Sequence, residues 1–173
     1  MHRIPGHRTV KVCVGDWEAD IDEEIALLIE EIWKADIMTV NSCQENRAGT
    51  AWIEFATAED AARFLDIVAE YEEEIDSLYN RMTQSWDSSS GSMSAPSWEY
   101  SIYPVDLALQ QQLDEDDDGM DECHEGPPEF IFSVSIRFPR SDLPTLFARL
   151  RRHNSKGKEV AEREAVASCE NEP

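Results

Sequence analysis

Apolar positions along this chain recur either every second residue or with a helical period. Val10, Val12 and Val14 alternate with Lys11 and Cys13, the period of a half-buried strand over Thr9 to Val14, closed by Gly15-Asp16. From about Asp22 to Ala35, Ile25, Leu28, Ile29, Ile32 and Trp33 fall on one helical stripe. Asp20 suits its N-cap, and Asp22, Glu23 and Glu24 suit the positive end of its dipole. Met38 to Ser42 and Thr50 to Phe55 read as a hairpin of strands around a polar loop, Cys43 to Gly49. In the second of these, Ala51, Ile53 and Phe55 share one face, and Trp52 and Glu54 the other.

Thr57-Ala58-Glu59-Asp60 has the form of a capping box with Asp in place of Glu. It opens a long helix expected to reach about Met82, with Ala61, Phe64, Leu65, Val68, Ile75, Leu78 and Met82 as its stripe. Ser88 to Ser92 has linker composition. Trp98 to Tyr103 alternates up to Pro104, and Asp106 to Leu113 suits a short helix. Phe130, Phe132, Val134, Ile136 and Phe138 give the cleanest alternation, opposite Ser133, Ser135 and Arg137. Leu143, Leu146, Phe147 and Leu150 mark a last helix over Asp142 to Asn154.

The order β-α-β-β-α-β-β-α predicts an α+β protein. Its form is a two-layer sandwich with a ferredoxin-like βαββαβ core, an extra strand and a C-terminal helix on a mainly antiparallel sheet. A single domain is expected over 9–154, with flexible segments at 83–97 and 114–128. A flexible N-terminus (1–8) and a disordered tail (155–173) flank it.

Composition changes the picture through charge. Fifteen Lys and Arg stand against 37 Asp and Glu in 173 residues, a net charge of −22. That excess argues against unaided binding to nucleic-acid phosphates and against docking on an anionic membrane. No apolar run approaches a membrane span, and the N-terminus lacks a signal-peptide stretch. Cys13, Cys43, Cys123 and Cys169 are scattered without a CxxC pair, as reduced thiols in the cytoplasm would be. The charge is also polarised. Residues 16–36, 58–76 and 114–125 are acidic blocks, whereas 137–158 holds seven bases and one acid. The leading expectation is therefore a small acidic interaction protein without catalytic activity. It would bind a basic protein partner, or imitate nucleic acid, through Glu23, Glu24, Glu30, Glu31, Glu73 and Glu74, with Trp52 as an aromatic anchor.

Two other readings carry chemistry. Asp114, Asp116 and Asp118, then Gly119 and Glu125, match the EF-hand loop pattern D-x-[DN]-x-[DN]-G-x5-E. Oxygen donors at that spacing suit Ca²⁺, although Asp121 stands where an apolar residue is usual and Gly126-Pro127-Pro128 blocks an exiting helix. Alternatively, an enzyme or modifying factor would use the polar strand end Ser42, Cys43 and Gln44, with Cys43 as a nucleophile if a base lay beside it. The four histidines, His2, His7, His124 and His153, fall in expected tails, loops or the polar end of the last helix. The motifs GxGxxG, GxxxxGK[ST], HExxH and GxSxG do not occur, which favours the non-enzymatic reading.

Residues 9–68 resemble a pattern of small uncharacterised bacterial and phage proteins. It is carried by Asp22-Glu23-Glu24-Ile25-Ala26, Ile32-Trp33, Thr39 to Gln44, Gly49 to Phe55 and Asp60 to Leu65. The resemblance implies no activity.

Overall fold

The computed structural model describes residues 7–71, 73–74, 77–83, 98–106 and 129–169, the side chains of 106 and 158–169 excepted. Gly15, at φ +59°, reverses the chain in two residues, as a hairpin turn with glycine at its first central position does. It joins β1 (Thr9–Val14) to β2 (Trp17–Asp22) in an antiparallel ribbon, with Val14 opposite Trp17 and Thr9 opposite Asp22. The second strand is absent from the sequence reading, which assigns this stretch to the approach of a helix. Trp17, Ala19 and Ile21 alternate with acids and pack their apolar side on the core, so strand period wins. Asp20 consequently pairs opposite Lys11 rather than capping a helix.

The first helix, α1 (Ala26–Lys34), starts later than expected, and Ile25 before it makes no side-chain cap. Ala26, Leu28, Ile29, Ile32 and Trp33 are buried. Arg63 closes the far end of α1 by donating to the carbonyls of Ala35 (2.9 Å) and Asp36 (2.6 Å). Strand β3 (Thr39–Arg47) runs through the segment expected to be a loop and turns at Ala48-Gly49 into β4 (Thr50–Phe55). Gly49 supplies the positive φ of that turn, at +73°.

Helix α2 (Ala58–Val68) opens on the expected N-cap at Thr57, though Asp60 bonds the Thr57 hydroxyl rather than its backbone N–H, so only half of the expected capping box forms. Thr57 Oγ1 accepts the Asp60 N–H at 3.0 Å and donates to Asp60 Oδ2 at 2.7 Å. The expected long helix is two pieces, because α2 ends at Val68 and α3 (Leu78–Thr83) follows separately. Strand β5 (Glu99–Asp106) then pairs with β6 (Phe130–Pro139). A short 3-10 turn, Arg140–Asp142, leads into α4 (Leu143–Cys169), which extends beyond the expected end at Asn154.

The result is an α+β protein in which every pairing among the described strands is antiparallel. The main sheet has the order β3-β4-β6-β5, and β1-β2 forms its own ribbon. A ferredoxin-like core would place the first strand inside the main sheet. Here Thr9–Val14 pairs with β2 instead, because the two-residue turn delivers a partner at once. Pro104 is tolerated in β5 because that strand lies at the sheet edge. Ile53, Phe55, Ile136 and Phe138 from the sheet meet Ile29, Ile32, Phe64, Leu146 and Leu150 from the helices in one fully buried cluster. No described helix is long and apolar enough to cross a membrane.

Candidate functional site

The sequence-marked cluster lies within β3, where Ser42 pairs opposite Ile53 and Cys43 opposite Trp52. The ladder shifts register between Cys43 and Arg47, a bulge that re-aims side chains on this edge strand. Asp22, the last residue of β2, reaches this point. Its Oδ2 accepts the Gln44 N–H at 3.0 Å and lies 3.1 Å from His7 Nδ1. Gln44 Oε1 in turn accepts the Glu24 N–H at 2.9 Å, tying the approach of α1 to the sheet. The ligand-bearing atoms of His7, Asp22 and Cys43 all lie within 4.8 Å of one another. Arg140 stands outside, paired with Glu24 and, at 3.1 Å, with Glu45.

Cys43 is half-buried. Burial pushes its thiol up, and the charge and hydrogen bonding of Asp22 add to this against a lowering backbone hydrogen bond from Glu45. The neutral thiol is a weak nucleophile at neutral pH. His7 Nδ1 faces the same carboxylate rather than serving as a base to the sulfur. This arrangement does not activate Cys43 for attack, yet it gathers one sulfur, one nitrogen and one oxygen donor at a single point.

His7 belongs to the expected N-terminal tail, so sequence spacing alone does not bring it here. The signal that does so is the Gly15-Asp16 turn. Counting back along an antiparallel ladder from Val14 and Trp17 puts Thr9 opposite Asp22, and His7 just beyond.

At the other end of the ribbon, Asp16, Trp17 and Glu18 face Trp33, Met38 and Thr39 across an open pocket of about 320 Å³. Trp17 and Trp33 meet edge to face, with ring centroids 6.1 Å apart. The Trp33 indole N–H donates to Thr39 Oγ1 at 2.8 Å, which fixes that ring as a wall. Met38 is 44% exposed and forms the facing apolar side. Two acids and no base line this pocket. Glu18 is paired with Lys11, whereas Asp16 is exposed at the turn.

A second pocket, about 380 Å³, lies in the seam between α1 and α4. Glu30 and Glu31 line it together with Lys34 and Arg151, so its charge is countered from within.

Four of the six acids expected to form a binding surface are engaged in ion pairs. Glu23 pairs with Arg8, Glu24 with Arg140, and Glu30 with Lys34. Glu31 is buried and bonded to Lys34 and to Asn154 of α4. Burial works to raise its carboxyl, but the hydrogen bonds from Lys34 and Asn154 outweigh it and hold the group below the ordinary glutamate value. Glu73 and Glu74 are exposed. Trp52 is half-buried, with the Arg137 guanidinium 5.8 Å from its ring centroid. The calcium-loop residues Asp114, Asp116, Asp118 and Glu125, and the segment 84–97 beside Trp98, lie outside the described residues.

No family model matches the chain, and no solved structure matches it. An uncharacterized protein, R428 of Acanthamoeba polyphaga mimivirus, is 27% identical over 139 residues, 79% of this chain. The match covers 63% of that viral protein, so the chain spans less than two thirds of its relative.

Proposed function

We propose that this chain is a small acidic interaction protein without catalytic activity, which holds a cationic side chain of a basic protein partner between Trp17 and Met38 under Asp16 and Glu18. The observation that carries this reading is the pocket at the ribbon turn, with aromatic and thioether walls and two acids in its lining, Asp16 exposed and Glu18 also paired with Lys11. An indole face attracts Lys or Arg by about 0.5–1 kcal/mol when exposed and about 2 when desolvated. The net charge of −22 steers a basic partner toward the surface before contact. The pocket in the α1–α4 seam is a weaker candidate, because Lys34 and Arg151 already answer its acids. The unactivated Cys43 thiol favours the non-enzymatic reading over a nucleophile at the strand end.

Calorimetric titration with a short Lys-rich peptide tests the reading. Wild type binds it, Trp17→Ala weakens binding about 3- to 30-fold, and a Glu-rich peptide of the same length does not bind. Equal affinity of wild type and Trp17→Ala refutes the role of the pocket.

A further inference from the structure

We propose that His7, Asp22 and Cys43 form a binding site for a single zinc ion, which ties the segment before β1 and the end of β2 to the middle of β3. This does not rest on the partner reading above.

Three different chain segments supply the donors, and the fold brings their ligand atoms within 4.8 Å of one another. The set is one imidazole nitrogen, one carboxylate oxygen and one thiol sulfur. Ca²⁺ and Mg²⁺ take oxygen ligands, whereas imidazole with thiolate selects borderline-soft ions, of which Zn²⁺ accepts this mixture in tetrahedral geometry. Three protein ligands leave a fourth position for water or a partner's side chain. On binding, the Cys43 thiol proton leaves to solvent and the sulfur coordinates as thiolate.

The surroundings resemble those of metal ligands rather than of a chance surface cluster. The Gln44 N–H donates to Asp22 at 3.0 Å and sets the orientation of that carboxylate, the task outer hydrogen bonds perform around metals. His7 and Asp22 are largely buried, at 18% and 15% side-chain exposure. Cys13, by contrast, is exposed on β1, where its thiol meets only Glu18 at 3.5 Å, and gathers no comparable set among the described residues.

The site also has a structural consequence. Asp22 meets β3 at Cys43 and Gln44, while Trp17 shares a pocket with Met38 and Thr39. The ribbon thus lies along β3, and zinc at its open end pins one wall of that pocket.

The test uses the full chain freed of metal by chelation. Co²⁺ added in place of zinc should give a thiolate-to-metal charge-transfer band that saturates at one equivalent and disappears on adding Zn²⁺. Cys43→Ser abolishes the band. His7→Ala weakens binding by at least about tenfold, the lower bound for losing even an outer-shell partner. Cys13→Ser and the double variant Cys123→Ser/His124→Ala leave band and affinity unchanged. X-ray absorption of zinc-loaded wild type needs no variant and should count one sulfur and otherwise nitrogen or oxygen neighbours. Zero sulfur at the zinc, or a band that survives Cys43→Ser, overturns the site.

Discussion

Asp36 follows α1 at φ +57°, a left-handed conformation that costs a residue with a Cβ about 1 kcal/mol. What holds it is its carbonyl, bonded to Arg63 at 2.6 Å. Its carboxylate contributes little, since it is 88% exposed and 3.8 Å from Arg63. Asp36→Gly keeps the carbonyl and relieves the backbone, so urea unfolding should show a gain of about 0.5–1 kcal/mol. Asp142 presents the opposite balance. It is buried, accepts the Trp98 indole N–H at 3.0 Å and meets Arg81 at 2.5 Å. Asp142→Ala removes a buried carboxylate shared by Arg81 and the Trp98 indole N–H, and should cost about 3 kcal/mol in the same assay. A cost under about 1 kcal/mol would show the network to be dispensable. The Trp98 alternation announces a strand, yet its partner lies 44 residues away, a distance no local pattern reports.

Elements were legible where one period acted alone. β4 and β6 alternate cleanly and are strands, and Thr57 caps α2. Legibility failed where two periods overlapped or a tertiary contact intervened. Residues 17–22 read as a helix approach because acids there also suit a helix dipole, but the Gly15 turn makes them a strand. The period of α2 continues past its end, yet Arg149 takes the Val68 carbonyl at 2.5 Å, which a continued helix would need for its own ladder. Gly15 therefore sets the ribbon. A Cβ there would meet nothing within 4 Å, so Gly15→Ala carries only the backbone cost of φ +59°, about 1 kcal/mol in thermal or urea unfolding. The seam of α1 and α4 has a pH signature through Glu31. Its folded pKa is depressed, so its contribution is complete above the unfolded value of about 4.3 and is lost as pH falls through the lower folded value. Glu31→Gln should flatten this acid limb of stability against pH. An unchanged limb would assign acid sensitivity elsewhere.

Among the described residues, part of the polarity of charge seen along the chain becomes a set of internal pairs. Arg140 answers Glu24 and Glu45, and Arg149 and Arg152 answer Glu70. The basic last helix and its lead-in therefore neutralise part of the acidic blocks, and the acids left for a partner include Asp16 at the ribbon turn. Cys43 and Gln44 were marked by their place at a strand end, whereas His7 and the Trp17 pocket depended on the unrecognised ribbon. Steering by a −22 surface is screened by salt, so the on-rate for a basic peptide should fall steeply between low and physiological ionic strength while the Trp17 contribution persists.

The most direct measurement follows the five tryptophan indole N–H signals by nuclear magnetic resonance as the Lys-rich peptide is added. The account predicts that Trp17 and Trp33, at the acid-rimmed pocket, shift saturably, while Trp98, held by Asp142 in the core, stays fixed. Shifts that leave Trp17 and Trp33 unmoved would contradict it.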